Sequence, residues 1–249
     1  MRRGATLRTL AAANQPTQMK PTFKSAWREW IKPFALFFLV MAPLRSAVVD
    51  WNWVPSGSMK PTIMVGDLVL VDKLAYGLRV PFTTRSISTR AGPSRGDIAV
   101  LFSPRDGTRL VKRVVGLPGD VIEMRGDVLF VNGVRQGYSL QDPRPFLRDI
   151  PEAGNPIVAL ESLGGRDHLI VIIPDRPALR TFGPCAVPEG RYFVMGDSRD
   201  NSTDSRFFGT VARRDIVGRA TMVLASFDTS RWLLPRLGRF LHPLDPKDA

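Results

Sequence analysis

The chain has 249 residues, 44% of them hydrophobic and 23% charged, and this length suffices to bury a hydrophobic core. Because its 21 glycines and 21 prolines are scattered along the sequence, a disordered chain, a collagen-like repeat and a long helical rod are all disfavoured. A single cysteine excludes an internal disulfide, and two histidines are too few for a zinc site of cysteines and histidines.

The net charge of +12 is distributed unevenly along the chain. Residues 1–32 hold seven basic residues and one acidic residue, a net charge of +6. The rest of the excess is spread over the other 217 residues, which is typical of an arginine-rich surface rather than a nucleic-acid-binding stripe. We therefore expect no nucleic-acid partner.

An apolar segment follows a basic tail at residues 1–25. Residues 33–49 carry one charge, at Arg45, and together with residues 26–31 they predict a helix about 34 Å long. That length crosses a bilayer. Four of the five tryptophans flank the segment, where rings settle in the headgroup layers: Trp27, Trp30, Trp51 and Trp53. The sequence predicts a membrane anchor at residues 26–49, with a buried core helix and a cleaved signal peptide as alternatives.

The orientation of this anchor follows from its flanking charges. Basic residues crowd its N-terminal side, whereas residues 50–69 contain only Lys60. The positive-inside rule then leaves the N-terminus in the cytoplasm and the body on the extracytoplasmic side. Cleavage is disfavoured because the small residues after the segment form no A-x-A site: Arg45 lies two positions before Ala47.

The remainder of the chain is expected to be a mostly β, antiparallel body. The β-branched runs bounded by Gly, Pro and Asp lie at 63–74, 96–103, 109–116, 119–133, 168–174, 191–197 and 215–227. We expect a hairpin turn at residues 125–127. Residues 134–167 are polar and without strong periodicity, so low order is expected there.

These patterns suggest a division of the body into four parts. Residues 50–133 and 191–234 form the two parts of a β core. Residues 134–190 are an inserted, loop-rich subdomain between them, and residues 235–249 form a surface tail.

A serine in a stiff turn is the first candidate for chemistry. Ser56, Gly57 and Ser58 lie between Pro55 and Pro61, so a hydroxyl is presented close to the expected membrane surface. A plain polar turn explains the same residues. A nucleophilic serine needs a base, and neither His168, in an apolar run, nor His242, in the tail, has an orienting arrangement around it.

Lys112 is the remaining candidate base. Period-two alternation places Lys112 and Arg113 on opposite faces of one strand, so one of them points inward. Burial among aliphatic side chains disfavours a charged amine and lowers its pKa, and a neutral amine can accept a serine proton, whereas arginine stays protonated. The alternative is a strand lysine whose ammonium reaches solvent. Lys60 and Lys73 flank turns and are expected to be solvated.

Residues 195–206 pack hydroxyls, carboxylates and two guanidiniums around a strand end. An Asx-rich turn or a calcium loop is the alternative interpretation. Arg199 and Arg206 argue against the calcium loop because they would repel a cation. A salt-bridge network that supports a neighbouring site fits better.

Three blocks, PSGSMKPT (55–62), KRVVGLPGD (112–120) and GDSRDNSTDSRFFG (196–209), follow the apolar segment in this order. Together they closely resemble bacterial type I signal peptidase, the membrane-bound Ser-Lys enzyme that removes signal peptides. The resemblance covers about residues 53–225, with a further block at 94–101 and no match at 134–190. Ser198 departs from it, since the family more often has asparagine there, and the cysteine pair of some relatives is missing.

The resemblance implies a role for each residue of the site. Ser58 is the nucleophile and Lys112 the general base. Ser56 joins the Ser58 amide in the oxyanion hole, and Ser202 orients the lysine amine. Asp204 braces the site through Arg206 or Arg113.

The resemblance also implies the substrate and the way it binds. Precursors with A-x-A signal peptides would add as an extended strand near residues 53–56 and 108–111, with shallow pockets for small side chains. The substrate-binding residues would be Trp53, Val54, Pro55, Leu110 and Val111. No metal or organic cofactor is needed, and we expect a monomer.

Other functions remain open on the sequence. A specialised Ser-Lys peptidase of conjugation systems is the closest enzymatic alternative, and a self-cleaving repressor is disfavoured by the apolar segment. From another class, the body could be a non-catalytic, membrane-tethered β scaffold that binds partners.

Overall fold

The computed structural model describes residues 31–77, 92–150 and 154–244. The helices in these ranges are α1 (Lys32–Ala47) and α2 (Ser205–Phe208). The strands are β1 (Val49–Trp53), β2 (Asp67–Asp72), β3 (Ile98–Phe102), β4 (Arg109–Gly116), β5 (Val121–Arg125), β6 (Val128–Val131), β7 (Val134–Arg135), β8 (Gly137–Gln141), β9 (Ile157–Leu163), β10 (Arg166–Ile172), β11 (Phe182–Ala186), β12 (Arg191–Met195), β13 (Val211–Ala212), β14 (Ile216–Asp228), β15 (Leu234–Pro235) and β16 (His242–Pro243). Short 3₁₀ helices lie at Leu74–Tyr76, Arg144–Phe146, Arg199–Asn201, Arg213–Asp215 and Leu237–Arg239.

The described strands form three sheets, and their ladders are antiparallel. The large sheet has the order β1-β2-β14-β3-β4-β12-β13, with β15 and β16 paired to β14. A second sheet has the order β10-β9-β8, and a third the order β11-β5-β6-β7. The expectation of a mostly β, antiparallel body is therefore confirmed.

The N-terminal helix α1 falls within the segment expected to be an anchor. Its apolar side chains Phe34, Leu36, Phe37, Phe38 and Leu39 are exposed. Among the helices of the described ranges, none is both long and apolar enough to cross a membrane. Residues 1–30, with the basic tail and the start of the expected anchor, lie outside the described residues, and α1 ends two residues before the expected boundary at 49.

The hairpin expected at residues 125–127 is present as β5 and β6. Arg125 pairs with Val128, which leaves a two-residue turn. Gly126 and Asp127 have φ angles of 54° and 67°, the left-handed conformation that a type I′ turn requires at both positions. This turn matches the right-handed twist of the strands that it joins.

The expectation of low order at residues 134–167 is wrong. Strands β7, β8 and β9 and the first part of β10 lie there. Strand β9 alternates buried and less buried positions, but one of its buried positions is occupied by Glu161, whose charge is paired inside the protein. The polar residue obscured the strand pattern in the sequence.

The expectation of a surface tail from residue 235 is also wrong for the described part. Leu244 is 8% exposed within the core, and β16 pairs with β14. Arg239 binds the fully buried Asp67 at 2.6 Å. The segment from 234 to 244 is therefore integrated into the body. Residues 245–249 lie outside the described residues.

Candidate active site

A buried turn between β1 and β2 holds Ser58. The side chains of Met59 and Ile63 anchor it in the hydrophobic core of the large sheet, at 1% and 0% exposure. Burying two such side chains contributes about 1.5–3 kcal/mol each. The Ser198 amide donates to the Ser58 carbonyl at 3.1 Å, so the 196–202 loop holds this turn from the other side. Ser58 itself is 8% exposed.

Lys112 reaches the Ser58 hydroxyl from β4. Its Nζ lies 2.5 Å from Ser58 Oγ, and the lysine is 2% exposed. Burial lowers the pKa of Lys112 to about 8, although the carboxylates of Asp204 and Asp197 act in the opposite direction. An amine with this pKa is partly neutral near physiological pH, so it can accept a proton from the serine.

Arg113, the neighbour of Lys112, is buried as well. The sequence predicted that one of the two points inward, and the structure buries both because each face of β4 is covered. Arg113 forms a bidentate pair with Asp197, at 2.8 and 2.7 Å. Asp197 also accepts a hydrogen bond from Thr62 at 2.6 Å. Asp197 thus links β4 to the segment that follows Ser58.

Asp204 organises the other side of the site. Its carboxylate accepts hydrogen bonds from Ser202 Oγ at 2.7 Å and from the Gly196 amide at 3.0 Å. It pairs with Arg206 at 2.8 Å. The sequence left Arg206 and Arg113 open as its partner, and Arg113 pairs with Asp197 instead. Ser202 is therefore held in place by Asp204.

Gly196 lets the loop lie against the turn that holds Ser58. A Cβ at this position would lie 2.3 Å from Ser202 Oγ and 2.5 Å from the Ser58 carbonyl oxygen. Real Cβ contacts are not this short, so the close approach of the two segments depends on glycine at this position.

A second buried cluster supports the loop from the three-stranded sheet. Arg199 forms a bidentate pair with Glu161 of β9, with a distance of 3.0 Å for one of its two hydrogen bonds. The Arg199 carbonyl in turn accepts a hydrogen bond from Arg206 at 2.5 Å. Glu161 also accepts a hydrogen bond from Tyr138. Although burial acts to raise it, the pKa of Glu161 is held low by the neighbouring Arg199.

The residues expected to bind substrate differ in how far their side chains are exposed. Trp53 is 43% exposed on β1, and Pro55 is exposed after it. Val54 is 3% exposed, and its amide and carbonyl bond to Asp67 and Gly66. Leu110 is half-buried and Val111 is 7% exposed, so they offer mainly their backbone. These two residues and Val54 therefore present little side-chain surface to a substrate.

Three further residues complete the comparison with the sequence. Ser56 is exposed, two positions before Ser58. Lys60 is 8% exposed, and Lys73 pairs with Asp50 at 3.3 Å, so the expectation that both are solvated is wrong. In the described ranges, no group of three His, Cys, Asp or Glu side chains could hold a metal ion.

Comparison with known proteins assigns the chain to a family. The family model described as "Signal peptidase, peptidase S26" matches residues 27–225. The chain belongs to this family. The chain is 38% identical over 216 residues to the signal peptidase I of Pseudomonas fluorescens, covering 82% of this chain and 72% of that protein. It is 37% identical over 219 residues to the signal peptidase I of Pseudomonas aeruginosa, covering 83% and 75%.

One solved structure is also similar in sequence. A signal peptidase I from Enterococcus faecalis V583 is 34% identical, and the match covers 53% of this chain and 100% of that one with a TM-score of 0.33. The family match and the two Pseudomonas relatives show that the chain is an enzyme, a peptidase that acts on precursor proteins with signal peptides.

Sequence reasoning missed two acidic residues of this peptidase. Asp197 lies inside the block that resembles the family, but nothing in the sequence shows that its partners are Thr62 and Arg113. Glu161 lies in the segment 134–190, where no resemblance was found. A charged residue in a mostly apolar run, IVALESL, was the only available signal.

Proposed function

We propose that this signal peptidase cleaves precursors by acyl transfer through a dyad of Ser58 and Lys112. The observation that carries the proposal is the 2.5 Å contact between the Lys112 amine and the Ser58 hydroxyl inside the protein. A nucleophile and its base within hydrogen-bond reach are the expected signature of an activated serine.

The reaction begins when neutral Lys112 accepts the Ser58 proton as Oγ attacks the scissile carbonyl carbon. The Ser58 amide and the Ser56 hydroxyl stabilise the resulting oxyanion. Lys112 then gives the proton to the leaving amine, and the acyl group stays on Ser58. A water molecule, deprotonated by the same lysine, attacks this ester and releases the signal peptide. Ser202, held by Asp204, orients the amine.

The substrate binds as an extended strand along β4. Strand β12 pairs with β4 from Arg113 onward, so in the described ladders residues 109–112 pair with β3 alone. This leaves one edge of β4 beside Lys112 to accept another strand. The backbone of Leu110 and Val111 supplies the hydrogen bonds, and Trp53 and Pro55 contribute exposed surface on the other side. Small residues at the A-x-A positions suit shallow pockets.

We further propose that residues 26–49 anchor the enzyme in the bacterial inner membrane, with residues 1–25 in the cytoplasm and the body on the periplasmic or extracytoplasmic side. The apolar run in the sequence and the exposed apolar side chains of α1 support this. Anchoring raises the effective concentration of the site where precursors emerge. Extraction of membranes at alkaline pH tests the anchor, because an integral protein stays in the pellet.

Cleavage of a purified precursor by the full chain in detergent tests the dyad. Ser58→Ala and Lys112→Arg should each abolish cleavage, because the first lacks the nucleophile and the second cannot become neutral. Ser230→Ala and Lys73→Arg are matched controls that should retain activity. Retention of cleavage by either dyad variant refutes the mechanism.

The same assay separates the alternatives. A non-catalytic scaffold would not cleave any precursor, and its partner binding would survive both dyad changes. A specialised peptidase of conjugation systems would reject precursors with ordinary A-x-A signal peptides. Cleavage of several unrelated A-x-A precursors supports the general signal peptidase.

A further inference from the structure

A cavity in the body shares Thr62 and Arg113 with the surroundings of the candidate active site but does not include the dyad. It encloses about 420 Å³, a volume in the range of small-molecule sites. Residues 96–98 at the start of β3, 166–169 of β10, 219–221 of β14 and 242–244 at β16 line it. Neither Ser58 nor Lys112 is among the residues that line it.

Arginine side chains make up much of the polar wall. Three of them hold buried carboxylates: Arg113 binds Asp197, Arg166 binds Asp97, and Arg239 binds Asp67. The fourth, Arg219, differs because its Nε is buried and has no hydrogen-bond partner among the described residues. An unmade hydrogen bond from a guanidinium is costly, so this group requires an acceptor that the described protein does not supply. The other carboxylate of the wall, Asp167, is exposed.

His168 brings a second unpartnered nitrogen to the same cavity. The residue is 7% exposed, and its Nε2 lies 3.1 Å from Glu161 Oε2 but outside hydrogen-bond geometry. The nearby carboxylate favours the ring proton on Nε2 rather than on Nδ1. Burial, together with the charge of Arg113, lowers the pKa of His168, so the ring is neutral at pH 7.5. Nδ1 therefore keeps a lone pair, and it has no hydrogen-bond partner in the described ranges.

The two unpartnered groups require different properties of a ligand. Arg219 donates to an anionic oxygen, whereas neutral His168 accepts a hydrogen bond from a hydroxyl group. A phosphate group that keeps one proton offers both an anionic oxygen and a hydroxyl. Sulfate, similar in size, has no proton at neutral pH and satisfies only the arginine.

We propose that this cavity binds a phosphate group that carries one proton, as inorganic hydrogen phosphate does at neutral pH, between Arg219 and His168. The site is separate from the peptidase dyad. The Ser58→Ala variant should therefore bind phosphate as the unchanged chain does, which separates failure of this proposal from failure of the proposed function.

Isothermal titration of the full chain in detergent at pH 7.5 tests the proposal with two probes, inorganic phosphate and sulfate. Phosphate should bind at least about tenfold more tightly than sulfate, because sulfate leaves the His168 nitrogen unpaired. Vesicles that contain phosphatidic acid form a further arm. Stronger binding to these vesicles than to inorganic phosphate identifies a lipid as the source of the phosphate group.

Arg219→Gln should weaken phosphate binding at least about tenfold, because it removes the charged donor. Arg214→Gln is the matched control: it makes the same charge change at a side chain that is 83% exposed, and binding should be unchanged. Thermal unfolding without ligand checks that both variants fold. Arg219→Lys retains the charge without the Nε donor and should bind with intermediate strength.

Three results would overturn the proposal. The first is the absence of phosphate binding to the unchanged chain, which would leave water as the occupant of the cavity. The second is equal binding of phosphate and sulfate at pH 7.5. The third is equal loss of binding in Arg219→Gln and Arg214→Gln, which would indicate a nonspecific charge effect.

Discussion

At the scale of single residues, the proposed chemistry depends on the protonation of Lys112. Its pKa is lowered to about 8 by burial, and only the neutral amine accepts the Ser58 proton. We expect kcat/KM to rise with pH through about pH 8, with activity at pH 6 about a hundredfold below the plateau. A pH profile with an unchanged precursor measures this, and equal rates at pH 6 and 9 would exclude Lys112 as the base.

The same shift has a consequence for stability. Between pH 8 and 10.5 the unfolded chain keeps the lysine proton and the folded chain does not, so stability rises with pH in that window. Below pH 8, folding must bury a charged amine, and Lys112→Met removes this free-energy cost. The difference in unfolding free energy between Lys112→Met and the unchanged chain should therefore be about 3 kcal/mol more favourable to the variant at pH 7 than above pH 10.5. Urea unfolding at several pH values measures the difference. Ser58→Ala, which keeps the amine, should retain the pH dependence.

Gly196 is a residue whose role depends on space rather than on chemistry. Gly196→Ala should abolish most cleavage, because a Cβ 2.3 Å from Ser202 Oγ forces the loop away from the Ser58 turn. Gly183→Ala is the matched control, since a Cβ there meets no atom within 4 Å. Precursor cleavage and thermal unfolding of both variants test this. Normal activity in Gly196→Ala would show that the loop position does not matter.

At the scale of elements, apolar β-branched runs decided which strands the sequence could predict. Strand β4 was predicted because it is such a run, and the structure buries the two charges within it. Strand β9 was missed because Glu161 occupies a core position, where its partner Arg199 comes from a distant loop. A buried ion pair cannot be read from one strand alone.

The pair between Glu161 and Arg199 makes the three-stranded sheet part of the support of the active site. Glu161→Gln leaves the charge of Arg199, which is 2% exposed, without a counter-charge. We expect a loss of about 3 kcal/mol in unfolding free energy, and lower cleavage activity because Arg199 holds Arg206.

Urea unfolding and cleavage assays measure both effects. The matched control is Glu123→Gln, which breaks a pair whose arginine is 64% exposed and should leave the unfolding free energy nearly unchanged. Equal stability of the two variants would contradict a supporting role for the sheet.

At the scale of the whole molecule, the sequence predicted a mostly β body. It also predicted that Ser58 and Lys112 act together, although they are 54 positions apart. The pairing of these two residues was predicted from the resemblance to a family and from the physical need of a nucleophilic serine for a base. The sequence did not predict that Asp197 connects Thr62 to Arg113, because such contacts depend on how separate strands are stacked.

The C-terminal segment shows the same limit. The sequence predicted a surface tail there, yet Arg239 enters the body, binds the buried Asp67 and donates to the Thr62 carbonyl at 3.0 Å. Thr62 in turn donates to Asp197 beside the site. A segment more than 170 positions away therefore holds the chain that follows Ser58.

Arg239→Gln tests this long-range support. The change leaves the Asp67 carboxylate buried without its cation, so we expect a loss of about 2 kcal/mol in unfolding free energy. Cleavage should fall as well, mainly in kcat, because the Thr62 segment loses a fixed contact. Arg231→Gln makes the same charge change at an exposed position and should alter neither quantity. If both variants behave alike in urea unfolding and in cleavage, the segment is a tail after all and the support comes from the sheet alone.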